Sequence, residues 1–319
     1  MTTSYDKSAA VVVLPPAGGG RITDPSLRTW LAQADLSREE HPRELLARVL
    51  DVLNLPYPEE GLGALRMWGQ TGDRPTVWIA AADPVFLEPR LDHLRLHALR
   101  YQDLPSHELR PLFDHLQNTL AADRQFGFAR LGSCGYLRAS VPISTSSVPA
   151  YVVDGRNPGE FLPSGEHTRT HRNILSEIEM ALHEHEVNAN RAAEGRPPVN
   201  SLWLWGGGRA PERVTRPQPP LFADDPLMLG YWESGTAVSE LWPGDFGSCV
   251  EASIAGFVAV TPEEDQTSAS LMRWLSDLRE LLRERAVSRL VLLFRDGLRA
   301  DVQRAHAFRI WRRDSPLLD

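Results

Sequence analysis

The sequence predicts an α/β protein: a mainly parallel central sheet covered by helices, with antiparallel strands added at its edge. Three observations carry this. Residues 254–260 and Arg289–Phe294 read as strands on either side of an amphipathic stretch at 267–286, the order and length of a strand–helix–strand crossover, which joins parallel strands. Arg289–Phe294 is apolar at successive positions, so both of its faces need covering. Ala9–Leu14 is a second such run, rich in valine and closed by Pro-Pro-Ala-Gly-Gly-Gly, and reads as a first buried strand.

The remaining elements follow in order. A short helix is expected at 27–34 and another at 42–53, where Leu45, Leu46, Val49, Leu50 and Leu53 share one face; Ser37-Arg38-Glu39-Glu40 has capping-box spacing ahead of it. Residues 65–68 and 77–81 read as paired strands, 94–99 as a third, and Asp83-Pro84 as a turn. Leu109, Leu112, Phe113, Leu116 and Leu120 fall at helical spacing after Ser106, and Phe126–Leu131 and 135–138 read as short strands around Gly132-Ser133-Cys134. Residues 141–165 are rich in Ser, Pro and Gly and read as a loop. From Thr168 a helix carries Ile174, Ile178, Ala181 and Leu182 on one face, fades near Val187, and must end before Pro197-Pro198.

Leu202-Trp203-Leu204-Trp205 then forms a strand apolar on both faces, placed inside a helix-covered sheet, with Gly206, Gly207 and Gly208 at its end. Residues 209–220 read as an extended arm, 227–232 as a strand, and Gly244 to Cys249 as a turn and helix start. Arg295-Asp296-Gly297 reads as a hairpin turn, and 302–311 as an edge strand. The organisation expected is a flexible terminus at 1–8, one large α/β domain at 9–313 with room for two lobes, and a tail at 314–319.

Hydrophobic residues make up 42% and charged residues 24%, the balance of a folded chain rather than a disordered one. A net charge of -8 argues against a general nucleic-acid binder. Two cysteines far apart give neither a disulfide framework nor a cysteine-rich zinc site, so a reducing, cytoplasmic setting is expected. No apolar run is long enough for a membrane span.

His185-Glu186-Val187-Asn188, Arg191, Gly195, Pro197-Pro198, Asn200 and Trp203-Leu204-Trp205-Gly206-Gly207-Gly208 resemble a segment of the archaeal-type cofactor-independent phosphoglycerate mutases of the alkaline phosphatase superfamily. The block is more similar still to the RpfE-type regulatory proteins, which Ala82-Asp83-Pro84-Val85, Asp92-His93-Leu94 and Phe308-Arg309-Ile310-Trp311-Arg312-Arg313 also suit. The resemblance implies an alkaline-phosphatase-like fold. In the mutases it implies two metal ions held by Asp and His beside a Ser or Thr nucleophile.

This chain departs from that pattern. Pro15, Pro16 and Ala17 stand where an aspartate follows the first strand, and Thr261-Pro262-Glu263-Glu264-Asp265-Gln266 and Arg295-Asp296 stand where Asp-x-x-x-His-Asp and Asp-His flank the crossover. No histidine lies between His185 and His306. The expectation is a scaffold without its metals, hence no cofactor. A carboxylate-only magnesium or manganese site using Asp83, Asp265 or Asp296 is the alternative.

The candidate ligand site lies at the end of the Trp203-Trp205 strand. Gly206, Gly207 and Gly208 would offer amides, Asn188, Arg191 and Asn200 polar walls, Trp205 and Asp83 neighbouring contacts, and Arg209 attraction for an anion. The structural alternative has Asn188 and Arg191 cap a helix, Asn200 fix a turn and the glycines make one. The pairs His93/His97, His167/His171 and His183/His185 read as polar surface rather than metal ligands, Cys134 as a small buried filler, and Ser144, Ser146 and Ser147 as loop residues. The function expected is a regulatory protein that binds a small anionic ligand, phosphorylated or not, or a protein partner. A metal-dependent phosphotransferase or phosphatase is the first alternative and a structural interaction protein the second.

Overall fold

A computed structural model of the chain describes residues 9–41, 43–99, 103–121, 125–164, 168–212, 218–235, 238–253 and 256–319. The expectations for residues 1–8, Pro42, His167 and Ile254 lie outside them, as does part of the arm after Arg209. In chain order the elements are β1 (Ala9–Leu14), α1 (Pro25–Ala32), β2 (Asp35–Arg38), α2 (Leu45–Leu53), α3 (Leu62–Thr71), β3 (Ile79–Pro89), β4 (Leu94–Ala98), α4 (Ser106–Leu120), β5 (Phe126–Leu131), β6 (Cys134–Ala139), α5 (Ala150–Val153), α6 (Thr168–His183), α7 (Glu186–Ala193), β7 (Ser201–Gly208), β8 (Leu221–Phe222), α8 (Pro226–Glu233), β9 (Ser239–Glu240), α9 (Phe246–Glu251), β10 (Phe257–Val260), α10 (Ser268–Arg283), β11 (Arg289–Phe294) and β12 (Leu298–Gln303). They fall into two compact units, Met1–Tyr57 with Arg213–Asp319, and Pro58–Glu212.

The first unit is built on the sheet β2-β12-β11-β1-β10-β8-β9. Strand β1 pairs in parallel with both β10 and β11, Val12 lying opposite Ala259 on one side and Leu292 on the other. The crossover β10–α10–β11 therefore spans β1, and all three strands run parallel. Leu271, Trp274, Leu275, Leu278 and Leu282 of α10 pack with Ala10, Val12, Leu14, Leu290 and Leu292 into one core. Each of the leucines and Val12 contributes roughly 1.5–3 kcal/mol on burial. Strands β12 and β11 pair antiparallel, as do β2 and β12. The parallel centre with antiparallel strands added at one edge is the predicted fold class.

Several boundaries differ from expectation. The final strand starts at Leu298, stops at Gln303, and is internal because β2 covers it; Ser37 and Arg38, expected to open a capping box with Glu39 and Glu40, belong to that covering strand. Glu44 caps α2 instead, accepting from the Leu46 and Ala47 amides. Residues 227–232 are helix, not strand: Asp225 accepts from the Met228 amide and Pro226 sits at the first helical position, where its missing donor costs nothing.

The second unit holds an antiparallel sheet, β4-β3-β6-β5, with β7 also paired to β3. Here β7 differs from the prediction in two ways. It runs antiparallel to β3 rather than within a parallel sheet, and its three glycines continue the strand to Gly208 rather than leaving it as a loop. Asp83-Pro84 lies inside the long strand β3, not at a turn. Pro84 sits where β3 changes neighbours, from β6 up to Ala81 to β4 from Val85, so its missing amide is accommodated. Residues 65–68 belong to helix α3, and the helix expected from 168 is two, broken between His183 and Glu186. Helices α4 and α6 cover one sheet face through Leu109, Leu112, Phe113, Ile174, Ile178 and Leu182.

Candidate functional site

In an open α/β sheet the ligand crevice lies beyond the carboxyl ends of the parallel strands. In the first unit β1 ends before Pro15-Pro16-Ala17-Gly18, β10 before Thr261, β11 before Arg295-Asp296, and β8 before Ala223-Asp224-Asp225. Arg295 is half-buried. Its Nη2 donates to the Thr261 carbonyl at 2.9 Å, while its Nε is buried without a hydrogen-bond partner. Asp225, the cap of α8, interacts with the Arg295 charge and with Glu263; burial pushes its carboxyl up despite the Met228 amide at 2.9 Å and Arg295.

Glu44 is a second acid of this edge whose carboxyl burial pushes up. It is 3% exposed, accepts from the Leu46 amide at 2.7 Å and the Ala47 amide at 3.0 Å, and bonds the Tyr57 hydroxyl. Burial pushes its carboxyl up to about 7, against the two amides and with the Asp225 charge adding to the rise. An acid there can take up or release a proton near neutral pH.

The tips of β1 and β11 are closed from within. Oδ2 of Asp296 accepts from the amides of Ala17 at 3.1 Å and Gly18 at 2.8 Å, and Arg38 approaches it at 3.5 Å. Arg48, 4% exposed, donates to the carbonyls of Phe294 at 2.8 Å and Leu298 at 3.3 Å. This donor set does not fit a pair of divalent ions, which need several anionic oxygens and imidazoles converging on one point. Among the described residues no group of three or more His, Cys, Asp or Glu side chains is so placed. Asp265 bonds the Ser270 hydroxyl and lies 3.7 Å from Arg273.

The residues singled out in the sequence, apart from Asp265 and Asp296, lie in the second unit, where they form separate sets of contacts. Asp83 and Trp205 come together. One Asp83 oxygen accepts from Arg66 Nη1 and the other from Trp205 Nε1, both at 2.6 Å, and the Arg66 guanidinium lies 4.9 Å from the Tyr136 ring centroid and 5.3 Å from that of Trp205. Asn188 and Arg191 form a second set. Asn188 donates to the Leu182 and Val199 carbonyls and accepts from the Val199 amide. Arg191, 1% exposed, bonds the carbonyls of Pro197 and Asp103 and reaches Glu108 at 2.5 Å. Asn200 instead clasps both backbone groups of Leu87.

The glycine amides are engaged inside the protein. Gly206 donates to the Ser146 carbonyl at 2.8 Å and Gly207 to the Thr145 hydroxyl at 2.9 Å. What these glycines provide is close approach: a Cβ on Gly206 would lie 2.7 Å from that of Leu62, and one on Gly208 2.4 Å from the Gly61 amide. Gly206 also has φ +60°, which disfavours any side chain. Arg209 is exposed, its carbonyl packed over Gly61. A separate open cleft of about 790 Å³ is lined by Ser164, Thr168, Arg169, Arg172 and Asn173.

Of the histidines, His93 bonds Asp92, His97 bonds Glu88, His171 is buried on the Ser144 carbonyl, and His185 caps α7 beside His115. Cys134 is half-buried rather than buried, and the Ser146 hydroxyl is held by the Val148 carbonyl. Sequence reasoning missed Glu44, Tyr57, Asp225 and Arg295 as a group. For Glu44, Asp225 and Arg295 the available signal was their position, just past an apolar strand or just before a helix.

No family model matches the chain. Among curated proteins, a 2,3-bisphosphoglycerate-independent phosphoglycerate mutase of Methanosarcina barkeri is 27% identical over 124 residues, 38% of this chain and 31% of that protein. A probable enzyme of the same description from Geobacter sulfurreducens is 31% identical over 118 residues, 34% of this chain and 27% of that one. The matched stretches thus span about a third or less of these relatives. Of solved structures, a Pyrococcus horikoshii protein superposes with a TM-score of 0.51 at 12% identity, covering 90% of this chain and 81% of its own. A cofactor-independent phosphoglycerate mutase of Thermoplasma acidophilum gives a TM-score of 0.41 at 18% identity, over 92% and 89% of the two chains. The homology to cofactor-independent phosphoglycerate mutases is therefore of low identity and partial extent. Among the described residues no helix is long and apolar enough to cross a membrane.

Proposed function

We propose that this chain is a phosphoglycerate-mutase-like regulatory protein, of the RpfE type, that binds a small phosphorylated or carboxylated ligand without a divalent ion. The ligand sits at the carboxyl edge of the parallel sheet in the first unit. One observation supports this above the others: the Arg295 guanidinium stands at the tip of β11 with its Nε lacking a hydrogen-bond partner. A positive charge fixed in the protein does there, for an anion, what a bound cation would do, and guanidinium suits phosphate and carboxylate geometry. Glu44, its carboxyl pushed up to about 7 by burial, interacts with Asp225, and Asp225, its carboxyl also pushed up by burial, interacts with Arg295; a protonated Glu44 would lower the negative charge that an incoming anion meets. The regulatory part of the reading rests on the sequence resemblance alone, since a fold carries no function by itself.

The test is thermal shift and calorimetry with phosphoglycerate and with inorganic phosphate, in a chelating buffer. Wild type is compared with Arg295→Gln and with Arg172→Gln, which alters the cleft of the second unit. The expected result is binding that survives Arg172→Gln and is lost in Arg295→Gln; at a hundred times Kd a ligand stabilises by about 2.7 kcal/mol. Binding unchanged in Arg295→Gln refutes the site. Manganese-dependent turnover of a phosphoester, lost in Asp265→Asn or Asp296→Asn, selects the metal-dependent phosphotransferase instead.

A further inference from the structure

The seven-stranded sheet of the first unit ends in β2 on one side and β9 on the other, and the two margins differ in charge. Residues 304–313, which follow β12, hold four arginines and no acid, whereas residues 217–272 hold no Lys, Arg or His, in a chain of net charge -8. The basic segment is fastened beside β2. Arg309 and Arg312 reach Asp35 at 2.6 and 3.6 Å, and Arg309 also donates to the Gln33 carbonyl at 3.1 Å. One carboxylate thus serves two guanidiniums, while Arg304 and Arg313, both exposed, form no ion pair among the described residues. At the other margin Glu240 of β9 is exposed, and Glu233 and Asp224 lie beside it, accepting from the Ser239 hydroxyl at 3.0 Å and the Trp242 amide at 3.3 Å.

Both margins also leave large apolar side chains in water. Phe308, Ile310 and Trp311 are 81%, 71% and 74% exposed on the basic side, and Val238 and Leu241, which bracket β9, are 58% and 68% exposed on the acidic side. Among the described residues of the first unit, Tyr57 is the one other large apolar side chain left exposed. Apolar side chains clustered within a charged rim mark an interaction surface. Neighbouring strands lie about 4.8 Å apart, so the two margins stand roughly 30 Å from each other within one molecule. The acidic margin therefore meets a basic margin only on another copy.

We propose that copies of this chain associate head to tail, the basic margin of one seated on the β9 margin of the next. The apolar side chains of the two margins pack together, and Arg304 and Arg313 face Glu233 and Glu240. Charge selects this pairing, because two basic or two acidic margins repel when brought together. The contact joins two different surfaces, so it is heterologous, and copies add until a ring closes or a filament grows.

The test follows the full chain by sedimentation velocity and light scattering. At about 50 mM NaCl the mass is expected to rise with concentration past that of a dimer, and to fall again at about 500 mM NaCl, where charges are screened. Glu240→Arg, and separately Arg304→Glu with Arg313→Glu, are each expected to weaken association about tenfold or more, with circular dichroism confirming the fold. All three substitutions in one chain restore opposite charges across the contact and are expected to return association to within about threefold of wild type. A purely structural effect of the single margins would not be rescued in this way. A wild type that stays monomeric at about 100 µM, a mass that stops at the dimer, or a combined variant no better than its parts overturns the proposal. A monomer that instead sediments with phosphatidylserine vesicles and not with phosphatidylcholine vesicles also overturns it, and assigns the basic margin to a lipid surface.

Discussion

Replacing Glu44 by Gln tests the electrostatics of the sheet edge in one measurement. The Glu44 carboxyl titrates near 7 in the folded chain against an ordinary 4.5, because it is buried and has the Asp225 charge beside it. A raised folded value means that the native state binds the proton more tightly than the unfolded chain. The stability it brings is full below pH 4.5, falls by about 1.4 kcal/mol per pH unit as pH rises, and is gone above 7, a loss of about 3 kcal/mol in all. Gln keeps the shape and removes the titration, but its amide nitrogen cannot accept from one of the two capping N–H groups, which costs about 1 kcal/mol. Glu44→Gln should therefore be about 1 kcal/mol less stable than wild type near pH 4.5 and about 2 kcal/mol more stable at pH 7.5. The two curves cross between about pH 5 and 6. Urea unfolding of both proteins across this range, followed by circular dichroism, reads the difference directly. A difference constant to about 0.5 kcal/mol over the range would show that Glu44 is not held protonated, and the reasoning would fail.

Two further outcomes follow from the second unit. Arg191→Met leaves Glu108 buried beside only Arg196 and frees the carbonyls of Pro197 and Asp103, so unfolding free energy should drop by about 3–5 kcal/mol, measured by urea denaturation; a drop under 1 kcal/mol would mean that Arg196 takes over the pair. Gly63→Ala places a methyl 2.4 Å from the Ala81 amide nitrogen and 2.7 Å from the Ala80 carbonyl carbon, backbone that cannot step aside. It should cost at least about 3 kcal/mol, and a midpoint within 2 °C of wild type by calorimetry would show that α3 can lift away from β3.

The parallel crossover was legible because two independent periods agree there, a long 3.6-residue stripe in α10 and an unbroken apolar run in β11. Short apolar runs were not. Leu65–Trp68 and Leu227–Trp232 are each too brief to separate a buried helix from a strand, and at the second the decisive signal, Asp225-Pro226 as cap and first helical residue, lies just outside the run. The glycines after Trp205 were recognised as places of close approach, but what approaches Gly206 and Gly208 is the start of helix α3, at Gly61 and Leu62, far back in the chain. Glu44, Asp225 and Arg295 escaped for a related reason. Each is locally a cap or a turn residue, and only pairing of β1, β8, β10 and β11 gathers them at one edge.

The interleaving of the sheet also sets an order of events at the ribosome. Strand β1 finds its neighbours only in β10 and β11, whereas Pro58–Glu212 forms an uninterrupted unit. At about 5–20 residues per second, the first strand emerges on the order of tens of seconds before its partners do. Throughout that wait Ala9–Leu14 is a bare, β-prone hydrophobic segment on an otherwise growing nascent chain. Its burial waits on the arrival of β10 and β11, so the last third of the first unit decides when that segment is withdrawn from other partners.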